Sequence, residues 1–175
     1  MSLDPEPTLI EFFRYNHWAN QKLMAICMKA GGDTNSTKMP GAYGSILETF
    51  GHILKAQASF LKRIHGAAPT PSFKWEDGPD LEQMAAYETE LSGALRETLE
   101  CVPVTQNVHE EGNGWSFDYQ ARLIFMSVAY HGISHRTDIM TMLNSKGIEL
   151  PELDVWGYQA EFPERFEAKV SKSGE

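Results

Sequence analysis

The chain has few of the features that tie a protein to a membrane, a nucleic acid or an oxidising compartment. No run approaches the ~18 consecutive apolar residues of a membrane span, so no membrane partner is expected. Only two of the 175 residues are cysteine, Cys27 and Cys101, and they form no CxxC pair. A disulfide scaffold would need more, which points to a reducing, cytoplasmic setting. Each thiol is expected to serve as a small buried apolar side chain. Basic residues number 15 against 24 acidic ones, for a net charge of −9. That balance opposes nonspecific nucleic-acid binding, which needs lysine and arginine to displace counterions. It leaves a small-molecule substrate open. The opening stretch MSLDPEPT has no basic region followed by an apolar one, so no signal peptide is expected.

Several catalytic signatures are also missing. The His-Glu pair His109-Glu110 has no second histidine to complete HExxH. No histidine has a glutamate three positions before it, which excludes the ExxH pattern of di-iron bundles. Nucleophile-elbow, Walker and dinucleotide-binding motifs are absent.

What is present is dense helical patterning, without repeats or low-complexity segments. A length of 175 residues suits one domain, with a core over about 8–147 and an extension over 148–175. The first helix is expected from Thr8 to Lys29, opened by a Thr8–Glu11 capping box and ended by Gly31 and Gly32. Phe12, Ala19, Leu23 and Ile26 give its apolar positions. The second helix follows Pro40-Gly41 with a Ser45–Glu48 box, and Gly66 closes it. Its stripe is Ile46, Phe50, Ile53, Leu54, Leu61 and Ile64. The segment GAAPTPSFKWEDGP, 66–79, is long for a hairpin and admits a crossover. The third helix runs from Asp80 and Gln83 to just before Pro103. Residues 102–116 read as a second long connection, with a turn at Asn113-Gly114. Ser116 is expected to cap a fourth helix reaching Gly147. From Pro151 on, Trp156, Tyr158 and Phe162 are expected to pack back as a short helix or ordered extension. Trp115, Trp156 and Tyr158 read as packing anchors ahead of pocket residues. Four long helices predict an all-α, four-helix bundle.

Three histidines carry the chemistry. His131 and His135 are one turn apart on the fourth helix, so their rings leave one face. They stand in its apolar stripe with Ile124, Val128, Ile139 and Met142. Two buried imidazoles need partners, and one metal ion satisfies both. His52, beside the core stripe of the second helix, is the candidate third ligand. An antiparallel pairing of the two helices would bring it to their depth. Three imidazoles leave a coordination position open. His17, His65 and His109 read as surface or packing residues. Asp138, one turn past His135, is placed to bond a ligating ring or a bound water, or else to pair with Arg136 or a lysine. Glu48, one turn before His52, is better explained by its cap.

These segments resemble the DinB/YfiT-like superfamily of metal-dependent enzymes. The likeness rests on YNHWANQKL, SILETFGHILKAQASFLKRIHG, HGISHRTDIMTML and GIELPELD, in that order along most of the chain. It implies an up-down-down-up four-helix bundle and a metal triad at His52, His131 and His135. It also implies dimerisation through helix faces and, by analogy with some members, use of a low-molecular-weight thiol. Where many members have Arg-Gly-Gln after the last histidine, this chain has Arg136-Thr137-Asp138. A carboxylate thus replaces an amide near the metal.

The expected function is a cytoplasmic enzyme with a divalent ion, zinc or nickel, acting as a thiol-dependent S-transferase or a metal-hydroxide hydrolase. A homodimer and a small-molecule substrate are expected with it. The competing reading is a non-catalytic metal- or ligand-binding stress-response bundle. A third is that the histidines only pack the core.

Overall fold

The structure is a computed structural model and describes residues 7–166. Its helices are α1 (Pro7–Ala30), α2 (Gly32–Asn35), α3 (Ile46–His65), α4 (Leu81–Cys101), α5 (Ala121–Ser145) and α6 (Val155–Glu161). An antiparallel hairpin, β1 (Asn107–Gly112) and β2 (Trp115–Gln120), precedes α5. Tight 3-10 turns cover Trp75–Asp77 and Pro163–Phe166.

Two helix starts form as the capping chemistry dictates. At α3 the Ser45 hydroxyl accepts from the Glu48 amide, and Glu48 accepts from the Ser45 amide at 2.7 Å. Asp80 and Gln83 make the same reciprocal pair at α4. Each box satisfies amides that the helix itself leaves open. Gly66 ends α3 with φ 81°, a left-handed conformation that costs glycine least. The expected Thr8–Glu11 box does not form, because Thr8 already lies inside α1. Glu11 instead pairs with Arg14 and accepts the Tyr158 hydroxyl at 2.6 Å, tying the C-terminal segment to α1.

The four long helices share one core. α1 packs on α4 and α5, and α3 packs on the same two. Phe13 meets Phe125, while Asn16 and Asn20 meet Arg136 further on, so α1 and α5 run the same way. Phe60 faces His131 and Tyr43, ahead of α3, faces His135, so α3 runs against α5. Leu61 and His65 share a groove with Ala94 and Thr98, while Gly51 lies near Met84, so α3 and α4 run side by side. Parallel neighbours explain the length of 66–79. The chain must return along a 20-residue helix, about 30 Å at 1.5 Å per residue, before α4 begins.

The hairpin corrects the sequence reading of 102–116 as an open connection and of Ser116 as a helix cap. Ser116 pairs with Glu111 inside the sheet, and α5 starts at Ala121 with no side-chain cap. The reason is visible in the residues: Trp115, Phe117 and Tyr119 alternate with Ser116 and Asp118 just after Asn113-Gly114. Gly114 takes the φ of +84° that a tight hairpin turn requires. The described residues are therefore mostly helical, consistent with the all-α expectation, with one small two-stranded sheet added to it.

The tail packs back as expected, with Tyr158 buried against Trp18 and Tyr15. Trp156 and Trp115 are not packing anchors; they are 72% and 54% exposed. Cys27 is buried, and that burial pushes its thiol up to about 12. Cys101, at the end of α4, is exposed rather than buried.

Candidate metal centre

His52 leaves α3 beside Ile53, and His131 and His135 leave α5 one turn apart. The two helices pack antiparallel and bring the three rings together. Nε2 of His131 lies 3.0 Å from Nε2 of His52. The ring centroids are 4.7 Å apart for His52–His131 and His52–His135, and 4.4 Å apart for His131–His135. One nitrogen from each ring lies within 4.8 Å of the other two. Two ligand nitrogens on a tetrahedral zinc ion, each about 2.0–2.1 Å from it, stand roughly 3.3 Å apart. The spacing therefore suits one shared ion.

The electrostatics suit it equally. All three rings are half-buried. Burial pushes His131 down to about 4, with His135 and His52 adding repulsion. His52 is also lowered, by burial first and then by His135 and Lys55. Both rings are thus neutral at physiological pH, the form that ligates metal. Nδ1 of His135 lies 3.2 Å from an Asp138 carboxylate oxygen. A carboxylate only accepts, so the bond favours a proton on Nδ1 and leaves Nε2 unprotonated as the available ligand atom. Of the alternatives for Asp138, the structure realises the bond to the ring; Arg136 points the other way.

Glu48 does not orient His52. It pairs with Lys38 at 2.8 Å and caps α3, and these bonds hold its carboxyl down at about 2. His65 is exposed at the end of α3, and His109 pairs with Asp118 across the hairpin. His17 bonds the fully buried Glu88 at 2.7 Å. None of these three joins the cluster.

Three neighbours escaped the sequence reading. Tyr43 stacks on His52 with centroids 3.8 Å apart and planes 13° apart. Trp75, delivered by the long crossover, and Lys55, one turn past His52, line a cleft of about 390 Å³ with Tyr43 and His52. No periodicity marks loop residues such as Tyr43 and Trp75. A buried polar network was also missed. Glu88 accepts from Asn20, Gln21 and Ser92 besides its bond to His17. Arg136, 3% exposed, donates to Asn16 and Asn20 beside it. Glu88 occupies a stripe position among Leu81, Met84, Leu91 and Leu95, a visible sign of a buried carboxylate.

Fold and site together define a mostly helical protein with a three-histidine group able to hold a metal ion. The model of the DinB family matches residues 2–165, and the chain belongs to that family. No curated protein matches it.

Proposed function

We propose that this protein is a divalent-metal-dependent enzyme with His52, His131 and His135 as its ligands. The observation that carries the reading is the convergence of three imidazole nitrogens within 4.8 Å beside an accessible cleft. A closed structural site would call for a fourth protein ligand. Among the described residues, this group has three members.

A bound zinc or nickel ion would supply Lewis acidity, enough to deprotonate a thiol or to lower the pKa of water to about 7. The chain supplies the rest. Asp138 fixes the tautomer of His135, burial keeps His131 neutral, and Tyr43 covers one face of His52. The reaction we infer is transfer of a low-molecular-weight thiol to a small electrophile, with hydrolysis as the other outcome of the same chemistry. The pairwise helix directions support an up-down-down-up four-helix bundle as the frame. A cytoplasmic setting is part of the same proposal; no helix of the described residues is long and apolar enough to cross a membrane. Leu123, Met126, Tyr130 and Ile133 form an exposed apolar stripe on α5 that supports a homodimer.

The test is an activity screen on protein reconstituted with Zn²⁺ or Ni²⁺. Cysteine serves as thiol and monobromobimane as electrophile, with p-nitrophenyl acetate as the hydrolysis probe. The expected result is turnover in the wild type that chelation and His131→Ala both abolish. Equal rates with and without metal would overturn the enzyme reading.

A further inference from the structure

The cleft beside His52 has a composition of its own. Tyr43 and Trp75 are aromatic, and Leu47 and Met84 add apolar surface. Trp75 packs on α3 at Gly51, where an added Cβ would stand 3.3 Å from the indole ring and press on it. Phe73 and Tyr87 meet the indole edge-on and hold it. The crossover and the bare face of α3 thus build this aromatic surface together.

The cleft is lined by one carboxylate and one ammonium, and among the described residues only the carboxylate has an ionic partner. Glu48 lines it, but Lys38 neutralises that carboxylate at 2.8 Å and the Ser45 amide occupies it as well. Lys55 has no carboxylate partner within 4.0 Å among the described residues. Its ammonium lies 4.5 Å from the centroid of the Trp75 ring. An ammonium on an aromatic face retains its donors for a further acceptor. A lysine without a carboxylate partner, lining an aromatic cleft, offers an anion a local partner that the net charge of −9 does not supply elsewhere.

We propose that the cleft takes a small organic anion, with its apolar or aromatic body between Tyr43 and Trp75 and its carboxylate at Lys55. This names a substrate class for the metal-dependent reading and rests on that reading for its catalytic meaning. Lys55 is then a specificity residue: it chooses the molecule presented beside His52.

Benzoate and its neutral isostere benzamide are suitable probes. Binding is followed by ligand-detected NMR on chelator-treated protein, so that direct ligation of a metal by benzoate cannot contribute. The wild type is compared with Lys55→Gln and with Lys29→Gln, which makes the same charge change at the end of α1. Benzoate is expected to bind the wild type and Lys29→Gln about tenfold more tightly than benzamide does. Lys55→Gln is expected to lose that preference and keep its benzamide affinity. Failure of the wild type to bind benzoate, or a preference unchanged in Lys55→Gln, would overturn the assignment. Metal content measured before chelation separates the two claims. A wild type that takes up no metal but still prefers benzoate sinks the metal reading and upholds the cleft.

Discussion

Nε2 of His52 and Nε2 of His131 approach to 3.0 Å across 79 residues of sequence. Two protonated rings cannot stand so close, since each would donate and neither accept. At most one of the facing nitrogens carries a proton. The pair therefore presents at least one acceptor nitrogen before any ion arrives. His131 is depressed from 6.5 to about 4, so the unfolded chain binds its proton first as pH falls. Its contribution to stability is present above pH 6.5 and is lost as pH falls through 4. Urea denaturation of metal-free protein should show His131→Gln gaining on the wild type across that window. Parallel stability curves for the two proteins would contradict it.

Asp138 should matter for metal affinity without being a ligand. Asp138→Ala frees the His135 ring to rotate and to shift its Nδ1 proton. Loss of such a hydrogen-bond partner typically weakens metal binding by about 10–100-fold. Competition against a chromogenic chelator measures this directly. An unchanged affinity would show that Asp138 merely sits beside the ring.

Gly132, between the two α5 histidines, lets α1 and α5 approach. A Cβ there would lie 2.6 Å from Asn16 Oδ1 and 3.0 Å from Arg136 Nη1. Both atoms are held by their mutual hydrogen bond inside the core. Gly132→Ala should destabilise the fold by about 1–3 kcal/mol, the usual range for overpacking. A melting curve that matches the wild type would mean the network yields easily.

Glu88 tests the polar network. Its carboxylate is fully buried and accepts from four side chains. Glu88→Ala strands the Asn20 and Ser92 donors, and removing one member of such a buried charged set costs about 3–5 kcal/mol. Equilibrium unfolding in urea reads the loss. A change below 1 kcal/mol would indicate that water replaces the carboxylate.

The thiols should behave differently. Cys101 is exposed, whereas Cys27 is buried with its pKa raised to about 12. Ellman's reagent should label one thiol rapidly in the native protein and the second only on unfolding. Rapid labelling of both would contradict the burial of Cys27.

Sequence carried the long helices because their signals are local. The Ser45–Glu48 and Asp80–Gln83 boxes and the left-handed Gly66 act within one turn, so residue identity alone places those ends. The histidine group was legible for a related reason. His131 and His135 are fixed together by helical periodicity, and only His52 had to arrive from elsewhere. The hairpin was less visible because strands stabilise each other across a turn. Its alternation of Trp115, Phe117 and Tyr119 is a six-residue signal beside a 25-residue helix. Thr8 misled because a capping pattern does not exclude an earlier helix start. Tyr43, Lys55 and Trp75 lie in the cleft through packing between a loop, a helix and a crossover, which no single segment encodes.

If His52, His131 and His135 hold one metal ion, elemental mass spectrometry on untagged protein will find it, with each histidine replaced by alanine in turn for comparison. The wild type is expected to carry about one zinc or nickel per chain, with a clear loss in all three variants. A wild type that carries no metal, and recovers none after incubation with Zn²⁺ or Ni²⁺, would contradict that ligation and leave the three rings as packing residues.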